Sequence, residues 1–122
     1  MKGLLIALIP LLLLSGGIAT NYIYINEVSN RLLTEIDAIP APDHPDCVQK
    51  TTELVEAWEA EMKTVLLSVS YTIADRISEH AATLLACAQC KDRYGFYTAL
   101  ALLRDAVGDM RRLERFSIEN LF

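Results

Sequence analysis

Apolar and polar positions divide this chain into two unequal parts. From Gly3 to Asn26 no residue carries a charge, and Leu4–Leu14 is aliphatic throughout except for Pro10. Beyond Glu27 the pattern turns periodic. Val28, Leu32, Leu33, Ile36 and Ile39 recur at helical steps, so a helix begun in the apolar segment should continue to Asp37. Pro40, Pro42 and Pro45 then crowd residues 38–45. Each proline lacks a backbone donor and restricts the residue before it, so this stretch reads as a linker.

After the linker, Leu54, Trp58, Met62, Val65, Val69, Ile73, Ile77, Ala81 and Leu84 step by three or four. Asp46 with Gln49 offers a capping box at the start of this run. A break is expected near residue 70, because a single uncapped helix of that length is unusual in a small domain, and Thr72 with Asp75 offers a second box. Residues 91–95 form the next turn, with Asp92 as its cap. Phe96, Leu100, Leu103, Val107, Met110 and Leu113 make the last stripe, with Arg111, Arg112 and Arg115 where cations complement a helix dipole. No window alternates as a strand would. The expected fold is all-α: an N-terminal transmembrane helix followed by a small antiparallel bundle of about three helices. The organisation is a membrane anchor at 1–26, its helical continuation at 27–37, a Pro-rich linker at 38–45 and a helical body at 46–122.

Charge sharpens this division. The whole chain of 122 residues is −5, but residues 27–122 hold ten basic and sixteen acidic side chains, a balance of −6. An acidic body is a poor phosphate binder, which argues against a nucleic-acid partner. A helix over Gly3–Ile25 would be about 35 Å long, enough to cross a ~30 Å hydrocarbon core. Leu4, Leu8, Leu12 and Ile18 would face lipid, and Tyr22 and Tyr24 would fall at an interfacial aromatic belt. The rival reading is a secretory signal with Lys2 as its basic region, Leu4–Leu14 as its core and cleavage after Ala19, leaving a secreted soluble helical protein. Apolarity continuing through Tyr22–Ile25 favours the uncleaved anchor. In both cases Lys2 and the amino terminus stay inside and the body lies outside the cytoplasm, for the anchored form as a single-pass protein of the plasma membrane.

Candidate chemistry is sparse. Cys87-Ala88-Gln89-Cys90 is a C-x-x-C, but it closes a helix, where the dipole does not lower a thiol pKa as it does at a helix start. His80, Cys87 and Cys90 lie near one helix face and could hold zinc if His44 or Cys47 supplied a fourth ligand. The simpler reading makes Cys87 and Cys90 small apolar residues of an Ala-rich helix. Glu53, Glu56, Glu59 and Glu61 read as a solvated helix face rather than as general acids. No nucleophile–base set and no Gly-rich phosphate loop is visible, so neither an enzyme nor a bound cofactor is expected. Trp58 is either a core residue or an exposed anchor for a partner. Leu121 and Phe122 either dock on the bundle or are presented to a partner. With about 75 residues after the linker, the core is marginal, so a partner protein or self-association is expected besides the lipid bilayer.

Several segments together resemble the bacterial family called domain of unknown function 4363, short membrane-anchored chains of spore-forming Firmicutes. They are the apolar N-terminus, Trp58 midway along the second helix, Ile73-Ala74-Asp75-Arg76-Ile77, and the closing Glu114-Arg115-Phe116-Ser117-Ile118-Glu119-Asn120-Leu121-Phe122. The last is similar to that family's Ser-Leu-Glu-Asn-Ile-Phe ending. Where family members often carry His, this chain has Tyr71. The resemblance implies a membrane-associated helical protein of unassigned process, in the cell envelope or in sporulation, and carries over no catalytic residue.

Overall fold

The computed structural model describes the backbone of residues 2–121 and the side chains of residues 2–115 and 119. Four helices follow one another: α1 Lys2–Asp37, α2 Cys47–Val65, α3 Tyr71–Gln89 and α4 Arg93–Leu121. There is no strand among the described residues. Each helix packs against its two neighbours in the ring α1–α2–α3–α4, an up-down-up-down bundle joined by short turns.

The expected three helices after the proline cluster are present, but the bundle they form has four members. Its additional member is the second half of α1. Ile25, Val28, Leu32 and Ile36 are each no more than 4% exposed. The side of α4 facing them is held by Arg104 Nη2 on Asp37 Oδ1 at 2.5 Å and Arg111 Nη1 on Asn30 Oδ1 at 2.9 Å. Among the described residues the first half of α1 has no such partner, and Leu4 and Leu12 are 71% and 64% exposed. One unbroken helix thus carries two different apolar surfaces.

The proline segment is a packed corner. Pro42 is buried, Ile39 lies against the core, and His44 N–H donates to the Ala41 carbonyl at 2.9 Å. Asp46 precedes α2 with helical backbone angles and makes no capping bond through its side chain, so the capping box expected there is absent. At α3 the cap is Ser70 rather than Thr72: its hydroxyl accepts from Ile73 N–H in the extended conformation an N-cap needs. Asp92 does cap α4, accepting from Gly95 N–H at 3.1 Å.

Between α3 and α4 the core is built on a seven-residue repeat. Ala74, Ala81 and Ala88 face Ala99 and Ala106, all within 2% of complete burial, and these small side chains let the two helices approach closely. Ile77, Leu84, Phe96, Leu103 and Met110, also spaced by seven along their helices, fill the remaining volume.

α3 ends in a Schellman turn. Asp92 N–H donates to the Cys87 carbonyl at 3.0 Å, Lys91 N–H to the Ala88 carbonyl at 3.4 Å, and Lys91 sits at φ 55°. A branched-off Cβ in this left-handed conformation is strained, whereas glycine is not. Lys91→Gly should therefore raise stability by about 0.5–1 kcal/mol, read as a higher urea midpoint at unchanged slope. Gly95 is fixed for a different reason: a Cβ there would collide with the Asp92 carboxylate and come within 2.9 Å of Cys87 Sγ.

Candidate functional site

The thiols do not assemble into a reactive centre. Cys47 is buried at the start of α2, where desolvation pushes its thiol pKa up. Burial likewise raises Cys87, with the Asp92 carboxylate adding to the effect. Cys90 is exposed and its Sγ lies 2.8 Å from the Ala86 carbonyl. Raised pKa values disfavour the thiolate on which nucleophilic and metal chemistry depends. Among the described residues no three His, Cys, Asp or Glu side chains gather as a metal site, so His80, Cys87 and Cys90 are not brought together as ligands.

Trp58 is a core residue. It is 1% exposed, and its indole Nε1–H donates to Ser78 Oγ at 2.8 Å. Ser78 also lies 3.2 Å from the Ala74 carbonyl, a bond along its own helix. The buried ring cannot serve as an exposed partner anchor. Leu121 and Phe122, the other candidates, have side chains outside the described residues.

The acidic residues of α2 separate into two groups. Glu53, Glu56 and Glu59 are exposed, whereas Glu61 turns toward α1, where it accepts from Tyr24 Oη at 2.7 Å and from Arg31 Nη2 at 2.9 Å. The two tyrosines expected at the membrane boundary therefore part company. Tyr24 packs on the core and joins this polar cluster, while Tyr22 is half-buried without such a bond among the described residues.

That cluster borders the seam between α1 and α2. Small Ala57 and Ala60 on α2 leave a cleft of ≈ 410 Å³ against α1, with Arg31, Glu35 and Glu61 in its wall. Glu35 Oε2 is buried there and has no hydrogen-bond partner among the described residues. Desolvation raises the Glu35 pKa, partly countered by Arg31 and reinforced by Glu53. A carboxyl with a raised native pKa stabilises the fold below its ordinary range and loses that contribution as pH rises through the raised value. The contribution of Glu35 to stability should thus grow as the pH falls from neutral. Glu35→Gln should be more stable than wild type at neutral pH, and that difference should shrink as the medium is acidified, as paired urea titrations would show.

A second surface was not legible as special in the sequence. At the start of α4, opposite the Phe96 stripe, Tyr94, Tyr97, Ala101 and Leu102 form an exposed apolar face. Tyr94 is 86% exposed, and the Arg93 guanidinium lies 5.5 Å from the centre of the Tyr97 ring. The steps of three and four from Tyr94 to Tyr97 to Ala101, with Leu102 adjacent, are the signal that could have exposed it.

The first half of α1 is left uncovered. Its most apolar stretch is long enough to cross a membrane and none of it is buried in the bundle. No protein-family model, curated protein or solved structure matches the chain. The class defined by these features is an all-α four-helix bundle extended at one end by an apolar helix.

Proposed function

We propose that this is a single-pass membrane protein that holds a small helical interaction or structural module outside the cytoplasm, rather than an enzyme. The observation that carries the reading is the continuity of α1: the same helix presents about 27 Å of bare aliphatic surface and then enters the core. A span in lipid satisfies that surface, as a hydrated one would not be satisfied in water. Lys2 at one end and an acidic body at the other support a cytoplasmic amino terminus. The exposed Tyr94–Leu102 face at the far end supports contact with a protein, either another kind or a further copy. The resemblance to domain of unknown function 4363 proteins agrees with this placement in the envelope or in sporulation.

Carbonate washing should leave the full chain in the membrane. A membrane-impermeant maleimide added to intact cells should label exposed Cys90 and spare buried Cys47. Release by carbonate would exclude the anchor, and Cys90 labelling only after permeabilisation would reverse the orientation. Crosslinking in the membrane should yield a discrete complex that Tyr94→Ala weakens. A chain that stays monomeric and partner-free under crosslinking would exclude the interaction role.

A further inference from the structure

We infer that the α2–α3 turn is a second membrane contact, with Leu66, Leu67 and Tyr71 inserted into the same leaflet that α1 enters. The inference rests on the reading of α1 as a membrane span and adds how the bundle sits on that membrane.

Depth is the first argument. Asn21 lies about 27 Å along α1 from Gly3, close to the ~30 Å thickness of a hydrocarbon core. Ser68 Oγ is hydrogen-bonded to Asn21 Oδ1 at 2.8 Å, so the turn stands at the level where α1 leaves the lipid. Because α1 runs without a break from the apolar segment into the bundle, the turn is held near that level.

Surface chemistry is the second. Leu67 is 84% exposed, more than any other large aliphatic residue of the bundle among the described residues, and Tyr71 is 66% exposed. Residues 64–74 carry no charge, although the body is otherwise densely charged. The nearest charges along the chain, Lys63 and Asp75, stand about one helical turn further from the tip, and Glu114 of α4 borders the turn on the side of Ser68–Ser70 rather than that of exposed Leu67 and Tyr71. Aliphatic side chains at the very tip with an amphipathic ring beside them match the order of depth in an interface.

Backbone satisfaction is the third. Leu66 N–H donates to the Met62 carbonyl at 2.9 Å, Leu67 N–H to Thr64 at 3.1 Å, and Ser68 and Val69 N–H both to Val65 at 2.9 Å. These four amides are paired within the turn itself. The N–H groups of Ser70, Tyr71 and Thr72 at the start of α3 have no partner among the described residues and stay within reach of headgroup water, which places the turn at the interface rather than deep in the hydrocarbon.

Tryptophan quenching by lipids brominated near the headgroup end of their acyl chains, and for the mid-span Leu12 position by lipids brominated near the chain terminus, tests this. Full-length Leu67→Trp, Tyr71→Trp and Leu12→Trp proteins would be reconstituted in phosphatidylcholine vesicles with and without bromine, using wild type to subtract core Trp58. Leu67→Trp and Tyr71→Trp should each lose about half of the added emission or more in brominated vesicles. Circular dichroism verifies that each variant folds, and two turn positions guard against one of them perturbing it. Quenching of Leu12→Trp with none at either turn position would overturn the turn contact while leaving the anchor intact. Absence of quenching at all three positions would overturn the anchor and the turn contact together.

Discussion

Removing residues 1–20 is expected to release a soluble bundle that unfolds cooperatively, whereas removing residues 1–38 is expected to abolish cooperative unfolding. The two truncations differ by the second half of α1. That segment contributes Ile25, Val28, Leu32 and Ile36 to the core, all at or below 4% exposure. Burying side chains of this kind stabilises by about 1.5–3 kcal/mol each, or about 6–12 kcal/mol together as an upper estimate. A domain of this size holds only ~5–15 kcal/mol in total. Loss of the segment would also strip the partners of Arg104 and Arg111 and lay open the apolar faces of α2 and α4. Circular dichroism during urea unfolding reads the outcome. A three-helix fragment with the midpoint and slope of the four-helix one would show that α1 merely leans on an independent bundle.

Trp58→Ala is the point substitution with the greatest expected effect. The ring is 1% exposed between α2 and α3, and truncating a buried Trp typically costs about 3–5 kcal/mol. It would also leave the Ser78 hydroxyl without its indole donor. Trp58→Phe separates these contributions: it keeps most of the apolar volume but loses the N–H bond, worth about 1 kcal/mol. Tyr94→Ala, on an exposed ring, should stay within about 0.5 kcal/mol of wild type. The measurement is the urea midpoint followed by circular dichroism, since the Trp variants remove the fluorophore. Equal midpoints for Trp58→Ala and Tyr94→Ala would refute a structural role for Trp58.

Much of this architecture could be read along the chain because helix formation is periodic and local. The stripes from Leu54 to Leu84 and from Phe96 to Met110 are the ones the core uses, although Leu113 at the end of the second is 50% exposed. Helix ends were harder. Ser70, not Thr72, caps α3, and Asp46 caps nothing through its side chain. Residue type signals a possible cap, but the backbone angles that make one depend on how the neighbouring helices close the turn.

Candidate sites were less legible still. Glu61 belonged to a row of carboxylates that all looked solvated, and only the proximity of Tyr24 and Arg31 sets it apart. Glu35 gave no signal at all, because its burial comes from α2 lying across it. The Cys87–Cys90 pair shows the reverse case: a recognisable spacing that the fold places at a helix end and leaves without a third ligand among the described residues.

Sequence alone sufficed for the all-α class, for a charge-free apolar segment long enough to span a bilayer, and for the positions of the buried stripes. These follow from composition and from the 3.6-residue period, which need no knowledge of what lies opposite. Tertiary structure assigned the second half of α1 to the bundle, made the proline segment a packed corner, hid Trp58 and left Leu67 bare beside Asn21. Each of these depends on contacts between residues far apart in the chain, and a hydrophobic stripe states that a face must be buried without stating what will bury it.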